Sequence, residues 1–291
     1  MNNLCTVPYS KDNKWFLKKA FGILKMTFFT EIVYGLYNLI DKCLIYSMTF
    51  KEYIQSFSDF PIFRSLIFGT FFNGTLWYLY AAFWTYIFLI ILRKIHIYQN
   101  DIIVYVLIFI LISIQIQGLY YYRTHYDIPE YKIYLFRSAV LFGVPLELLG
   151  AQYAKHSDRI IKFFSDKKAL LIIAFGLIVM LVECIFSRKY LEFHYSTAFI
   201  SSGMFIFAMV YKGKQRKLYK FMGYIGKELS MWIYLAHIMV INILGLIINL
   251  LNLSNSIVVS YLKPILAIIL SCVVAELIQK CNRYIRNNKK I

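Results

Sequence analysis

Apolar stretches of membrane-crossing length recur along this chain, and the loops between them alternate between basic and nearly uncharged. A bilayer's hydrocarbon core is about 30 Å thick, so a helix rising about 1.5 Å per residue crosses it with roughly 20 apolar residues. About eight stretches fit that length: residues 26–48, 75–92, 102–121, 134–153, 169–186, 195–211, 231–251 and 257–277. Lys and Arg gather in the N-terminal tract 11–25, at 93–94, in 155–168, in 212–227 and in the tail 280–290. Short basic loops stay in the cytoplasm, so the alternation predicts a multi-pass protein of the cell membrane with both termini inside. The expected fold class is all-α, a polytopic integral membrane helix bundle of about eight transmembrane helices.

The net charge of +17 is spread over short loops beside apolar stretches, not gathered into a patch, and no recognition motif accompanies it. It therefore meets the anionic headgroups of the lipid bilayer, and nucleic acid is excluded as a partner. Hydrophobic residues make up 60% of the chain, which leaves no room for a soluble domain of ordinary size. The expected organisation is a basic cytoplasmic or interfacial segment (1–25), one membrane domain (26–279) and a basic, frayed cytoplasmic tail (280–291). Residues 1–14 lack the apolar core of a cleavable signal peptide. Residues 14–25 read as an interfacial helix with Trp15, Phe16 and Phe21 against lipid and Lys18 and Lys19 toward headgroups. The connection 49–74 is too apolar for a free loop and too interrupted to span, so it is expected to lie along the outer surface or to re-enter the domain. Cys5, Cys43, Cys184, Cys272 and Cys281 form no CxxC pair and no metal-ligand spacing with a histidine, so neither a metal site nor a disulfide framework is expected.

Ionisable side chains at membrane depth are costly unless partnered, which makes each a functional candidate. On this topology Glu31, Glu147 and His237 lie toward the cytoplasmic ends of their spans and are able to meet around one inner cavity. Arg137 and Glu183 fall toward the outer ends and are expected to pair. Each also has a plainer reading: His237 as a buried histidine bonded to a backbone carbonyl, Arg137–Glu183 as a structural ion pair. Glu147 reads as a carboxylate lining water at the kink after Pro145, and Lys18 and Lys19 as topological anchors.

Three segments carry a further pattern: NGTLWYLYAAFWTY (73–86), LFRSAVLFGVPLELLGAQYAKH (135–156) and IGKELSMWIYLAHIMVI (225–241). Leu76 and Trp77 form a leucine–tryptophan pair opening a span. Arg137, Phe142, Gly143, Pro145 and Gly150 form an arginine followed by a phenylalanine–glycine–x–proline run and a glycine. Ser230, Ile233, Tyr234 and His237 form a serine–x–x–isoleucine–tyrosine–x–x–histidine motif. In this order the three resemble the acyltransferase-3 family of multi-span membrane acyltransferases. The likeness is strongest to the branch whose membrane domain accompanies serine or alanine racemases in glycopeptide resistance.

The resemblance implies transfer of an acyl group, usually acetyl, from cytosolic acyl-CoA to an envelope glycan, lipid or small-molecule acceptor. It implies no metal. It assigns Lys18 and Lys19 to the CoA phosphates; Trp77, Arg137 and Tyr234 of the matched motifs are the substrate-binding candidates, and Glu147 and His237, as ionisable groups at membrane depth, are the catalytic candidates. Members typically have about ten spans, of which the eight here match the last eight. The family's catalytic histidine belongs to the first span and has no counterpart in this chain, so an upstream segment supplying the missing spans is an expected partner. Thr75 stands where many members carry a histidine, and Glu147 where an aromatic is usual. The same intramembrane charges also fit a transport domain for a small polar solute such as serine, and the missing histidine fits a non-catalytic membrane partner.

Overall fold

The computed structural model describes residues 12–45, 47–55, 67, 76–125, 135–186, 194–211, 217–253 and 256–288. Every regular element among them is helical, and the chain divides into two units, Met1–Tyr211 and Lys212–Ile291.

The first unit opens with α1, Asn13–Ile45, one helix of 33 residues. Asp12 starts it, its carboxylate accepting the Trp15 N–H at 2.9 Å as N-cap residues do. The basic tract expected as a separate interfacial helix is therefore continuous with the first apolar stretch. Phe21 is exposed, but Phe16, expected against lipid, is buried instead. Its ring lies 6.1 Å from that of Tyr86 and 5.1 Å from the Arg93 guanidinium. A short helix, α2 (Phe50–Gln55), starts at a capping box in which the Thr49 N–H and hydroxyl donate to Glu52 and the Glu52 N–H returns to Thr49. Residues 57–72 of the apolar connection, Ile67 apart, lie outside the described residues.

Three more helices complete the core that carries the candidate site: α3 (Trp77–Lys94), α4 (Asp101–His125) and α5 (Val144–Lys155). They share a buried cluster with α1, formed by Phe16, Leu89, Val104, Ile108, Val144 and Leu148. Buried Glu31 on α1 accepts the Tyr80 hydroxyl of α3 at 3.3 Å. At the opposite end of the core, Asp101 at the start of α4 pairs with Lys155, and with His156 at 3.2 Å, where α5 ends.

After α6 (Ser157–Phe163), helices α7 (Asp166–Phe186) and α8 (Tyr195–Val210) form an antiparallel pair. A Cβ on Gly176 would stand 2.7 Å from Ile200, and one on Gly203 2.7 Å from Ile173, so each glycine receives the other helix's isoleucine. Small residues allow such close approach where lipid supplies no hydrophobic drive between helices. Glu183 near the end of α7 caps α8, accepting the Tyr195 N–H at 2.9 Å and the Ser196 N–H at 3.2 Å, with His194 at 3.5 Å. This corrects the expected Arg137–Glu183 pair: a helix start whose N–H groups lack partners takes the carboxylate. Glu183→Leu is therefore expected to lower stability by about 1–3 kcal/mol, read as an earlier unfolding midpoint in detergent. An unchanged midpoint would mean that the cap contributes nothing.

The second unit runs from α9 (Lys217–Tyr224) through a π-helical turn, Ile225–Leu229, into α10 (Ser230–Leu250) and then α11 (Ile257–Asn288). The tail expected to fray is helical to Asn288, as α11 runs unbroken for 32 residues with Pro264 inside it.

Among the described residues, four helical stretches are long and apolar enough to cross a bilayer: Asp101–Tyr121, Asp166–Ile185, Phe221–Leu250 and Ile257–Ile285. Their large side chains, Phe109, Leu171, Leu250 and Ile268 among them, point outward, as lipid-facing surfaces require and water-soluble monomers rarely tolerate. The expectation of about eight transmembrane helices is thus supported for four of them. Helix α1 carries Lys14, Lys18, Lys19 and Lys25 and buries Thr27, Thr30 and Glu31 against protein. Helix α3 is tyrosine- and tryptophan-rich and ends in Arg93–Lys94. The stretch 134–153 is broken at residues 137–143, and α8, at 16 residues, reaches only about 24 Å.

Candidate active site

The second motif sits where the chain turns into α5. Pro145 lacks an N–H to donate and its ring crowds the preceding turn, which disfavours a regular α-helix across this point. The chain instead forms a π-turn over Ala139–Gly143, closed by the Val144 N–H donating to the Ala139 carbonyl, with Pro145 in the first turn of α5. Ser138 begins the turn in extended conformation, its hydroxyl accepting the Leu141 N–H at 3.4 Å. From α4, Gln115 Nε2 donates to the Phe136 carbonyl at 3.0 Å and anchors the approach. π-turns are rare and cluster at functional positions.

The first motif meets the second here. The Trp77 ring packs edge-on against Phe142 at 5.3 Å, and the Arg137 guanidinium lies over the Trp77 ring at 5.6 Å. Arg137, placed by its sequence beside Glu183, is thus held by an indole face. Such a contact is worth about 0.5–2 kcal/mol, more as water is excluded. Gly143 permits the approach of α3: a Cβ there would stand 1.8 Å from Thr85 Oγ1. That hydroxyl is already engaged, donating to the Ala81 carbonyl at 2.7 Å.

Between the two motifs lies a pocket of about 60 Å³. Tyr78, Ala81, Ala82, Thr85 and Tyr86 of α3 form one wall, and Phe142, Gly143, Leu146 and Glu147 the other. Glu147 is the acidic group of this lining; Glu31 does not line it and turns instead to Tyr80. Tyr86 connects the pocket to α1, with its ring 6.3 Å from Trp15, and the Lys19 ammonium sits 5.5 Å from the Trp15 ring. Lys18 and Lys19 are both exposed on α1. Chemically the arrangement offers a carboxylate at a small, aromatic-lined cavity, with cations one side chain removed.

The third motif belongs to the second unit. His237 Nδ1 lies 2.5 Å from the Tyr234 carbonyl oxygen. A carbonyl only accepts, so Nδ1 donates, and in the neutral ring Nε2 carries the lone pair. The Tyr234 and His237 rings are 5.6 Å apart, and Ser230 Oγ donates to the Gly226 carbonyl at 2.8 Å.

Tyr78, Thr85 and Tyr86 were not singled out from the sequence. The spacing of Tyr78, Ala82 and Tyr86, four residues apart, places them on one face of α3 and was the available signal. Thr85 carried none, because only the close approach of Gly143 makes it a wall.

A family model described as an acyltransferase domain matches residues 6–278, which include all three motifs. No curated protein and no solved structure matches the chain. With nearly its whole length matched and with apolar helices of bilayer-crossing length, the chain belongs to the acyltransferase-3 family of membrane acyltransferases.

Proposed function

We propose that the chain transfers an acetyl or other short acyl group from acyl-CoA to a hydroxyl on an envelope glycan, lipid or small-molecule acceptor. The observation that carries this reading is the pocket at which the first two family motifs pack together with Glu147 in its wall. The Glu147 carboxylate takes the acceptor's proton as that oxygen attacks the thioester carbonyl. The C–S bond breaks, and the CoA thiolate leaves and is protonated. His237, with the Nε2 lone pair, serves as a second proton-transfer group. Trp77, Arg137 and Tyr234 bind substrate through aromatic faces and a fixed cation, and Lys18 and Lys19 receive CoA phosphates, as cations suit anionic oxygens. In this reading both termini lie on the cytoplasmic side of the cell membrane, where Lys18 and Lys19 meet the cytosolic donor.

Acetyl transfer from labelled acetyl-CoA in membranes carrying the chain tests the reading, with and without a co-expressed segment supplying an arginine–histidine span. Absence of transfer to every glycan and lipid acceptor in both preparations removes it. Replacing Lys18 and Lys19 together by glutamate is expected to raise KM for acetyl-CoA about tenfold at nearly constant kcat, the effect of about 1.4 kcal/mol of lost donor binding. An unchanged KM would return both lysines to a purely topological role. For the orientation, an impermeant thiol reagent should label a cysteine placed at Lys14 only after the inner face is opened.

A further inference from the structure

The second unit holds a polar cluster that the acyl-transfer reading leaves unused. Tyr224, the last residue of α9, donates its hydroxyl hydrogen to Glu276 at 2.6 Å, and its hydroxyl oxygen accepts from Arg283 at 3.4 Å. Glu228 accepts from Gln279 Nε2 at 2.9 Å and lies 3.7 Å from Arg283. Trp232 Nε1 donates to Gln279 Oε1 at 3.2 Å. These rungs tie three successive turns to one face of α11, and they straddle the π-turn Ile225–Leu229. A π-turn holds an extra residue and rarely persists without outside contacts. Relaxation of that turn to α geometry with every residue kept would turn everything beyond it by about 100° relative to α9. Tyr234 and His237 lie directly beyond.

We propose that Glu228 and Gln279 are positioning residues. Their carboxylate–amide bond, braced by Trp232 and Arg283, clamps the π-turn and thereby sets the direction in which Tyr234 and His237 project from α10. The proposal rests on the reading that His237 takes part in acyl transfer. The test uses the full chain in membranes, with Gln279→Ala, Glu228→Ala and a deletion of Gly226, and with Glu228→Gln as the variant that keeps an acceptor for Gln279. Two readouts are taken: acetyl-transfer kinetics, and the thiol-labelling rate of Tyr234→Cys introduced beside each change in a background freed of the native cysteines. Gln279→Ala is expected to lower kcat about 100-fold with KM for acetyl-CoA moved less than about threefold, since misorientation affects the reacting geometry and not donor binding. Glu228→Gln should retain most of the activity that Glu228→Ala loses, and the labelling rate should change several-fold in Gln279→Ala but stay near the parent's on deletion of Gly226, which removes the extra residue the turn accommodates. A normally inserted Gln279→Ala chain with kcat within about threefold of the parent overturns the clamp. So does an unchanged labelling rate in all the variants. If the parent chain transfers no acyl group with or without the co-expressed segment, the acyltransferase reading falls, and the labelling rates alone still decide the clamp.

Discussion

Glu147→Gln is expected to lower kcat for acyl transfer by about 10²–10⁴-fold, the usual contribution of a positioned proton acceptor. The amide keeps the size and most hydrogen bonds of the carboxylate but takes no proton, so the wall of the pocket stays intact. KM for acetyl-CoA should move little, because the residue stands at the cavity and not among the cations of α1. Glu147→Asp, which withdraws the carboxylate by one methylene, should fall between the two. Glu31→Gln serves as the contrast, since Glu31 is buried against Tyr80 and outside the cavity lining. A kcat for Glu147→Gln within about threefold of the parent sinks the assignment and shifts the proton transfer to His237.

The second large effect concerns packing. Gly143→Ala places a Cβ 1.8 Å from Thr85 Oγ1 and 3.1 Å from Thr85 Cβ, so either α3 or the π-turn has to move. Overpacking of this kind costs about 1–3 kcal/mol, and here it also closes the cavity from one side. The unfolding midpoint in detergent should fall and transfer activity with it. Thr85→Ala removes the nearer clash and leaves the 3.1 Å contact, so the double variant should regain part but not all of the stability. Gly143→Ala with an unchanged midpoint would show that α3 and the turn are free to part.

The helices themselves were readable from apolar length, and the three motifs from their order, but not that the first two pack together. The span count was not readable, because hydropathy records how apolar a stretch is and not whether lipid or protein covers it. Helix α1 illustrates this: it buries Thr27, Thr30 and Glu31 against protein while Phe28, Phe29, Ile32 and Leu36 stay exposed, so a polar stripe lowers its hydropathy without removing its apolar outer face. Arg137 was misassigned for a related reason. A search for its partner among carboxylates overlooked the indole one motif away, and Glu183 was already claimed by the backbone of α8. Pro145 announced a kink, but no residue announced the π-turn before it or the second one before α10, since both arise from contacts distant in sequence. His237 was readable as a candidate, and also in its plainer form as a histidine bonded to a carbonyl.

Helix α11, with 32 residues, is about 48 Å long, well beyond the roughly 30 Å of hydrocarbon it has to cross. If its apolar start marks one edge of the oily layer, Glu276 lies about 28 Å along, and Gln279 and Arg283 stand still further out among headgroups and salt. Dissolved ions reach that height, so the Arg283–Glu228 attraction weakens as electrolyte rises while the uncharged tryptophan–glutamine rung does not. An overlong mast therefore lifts part of the molecule's internal bracing out of the lipid, and makes it answerable to ionic strength.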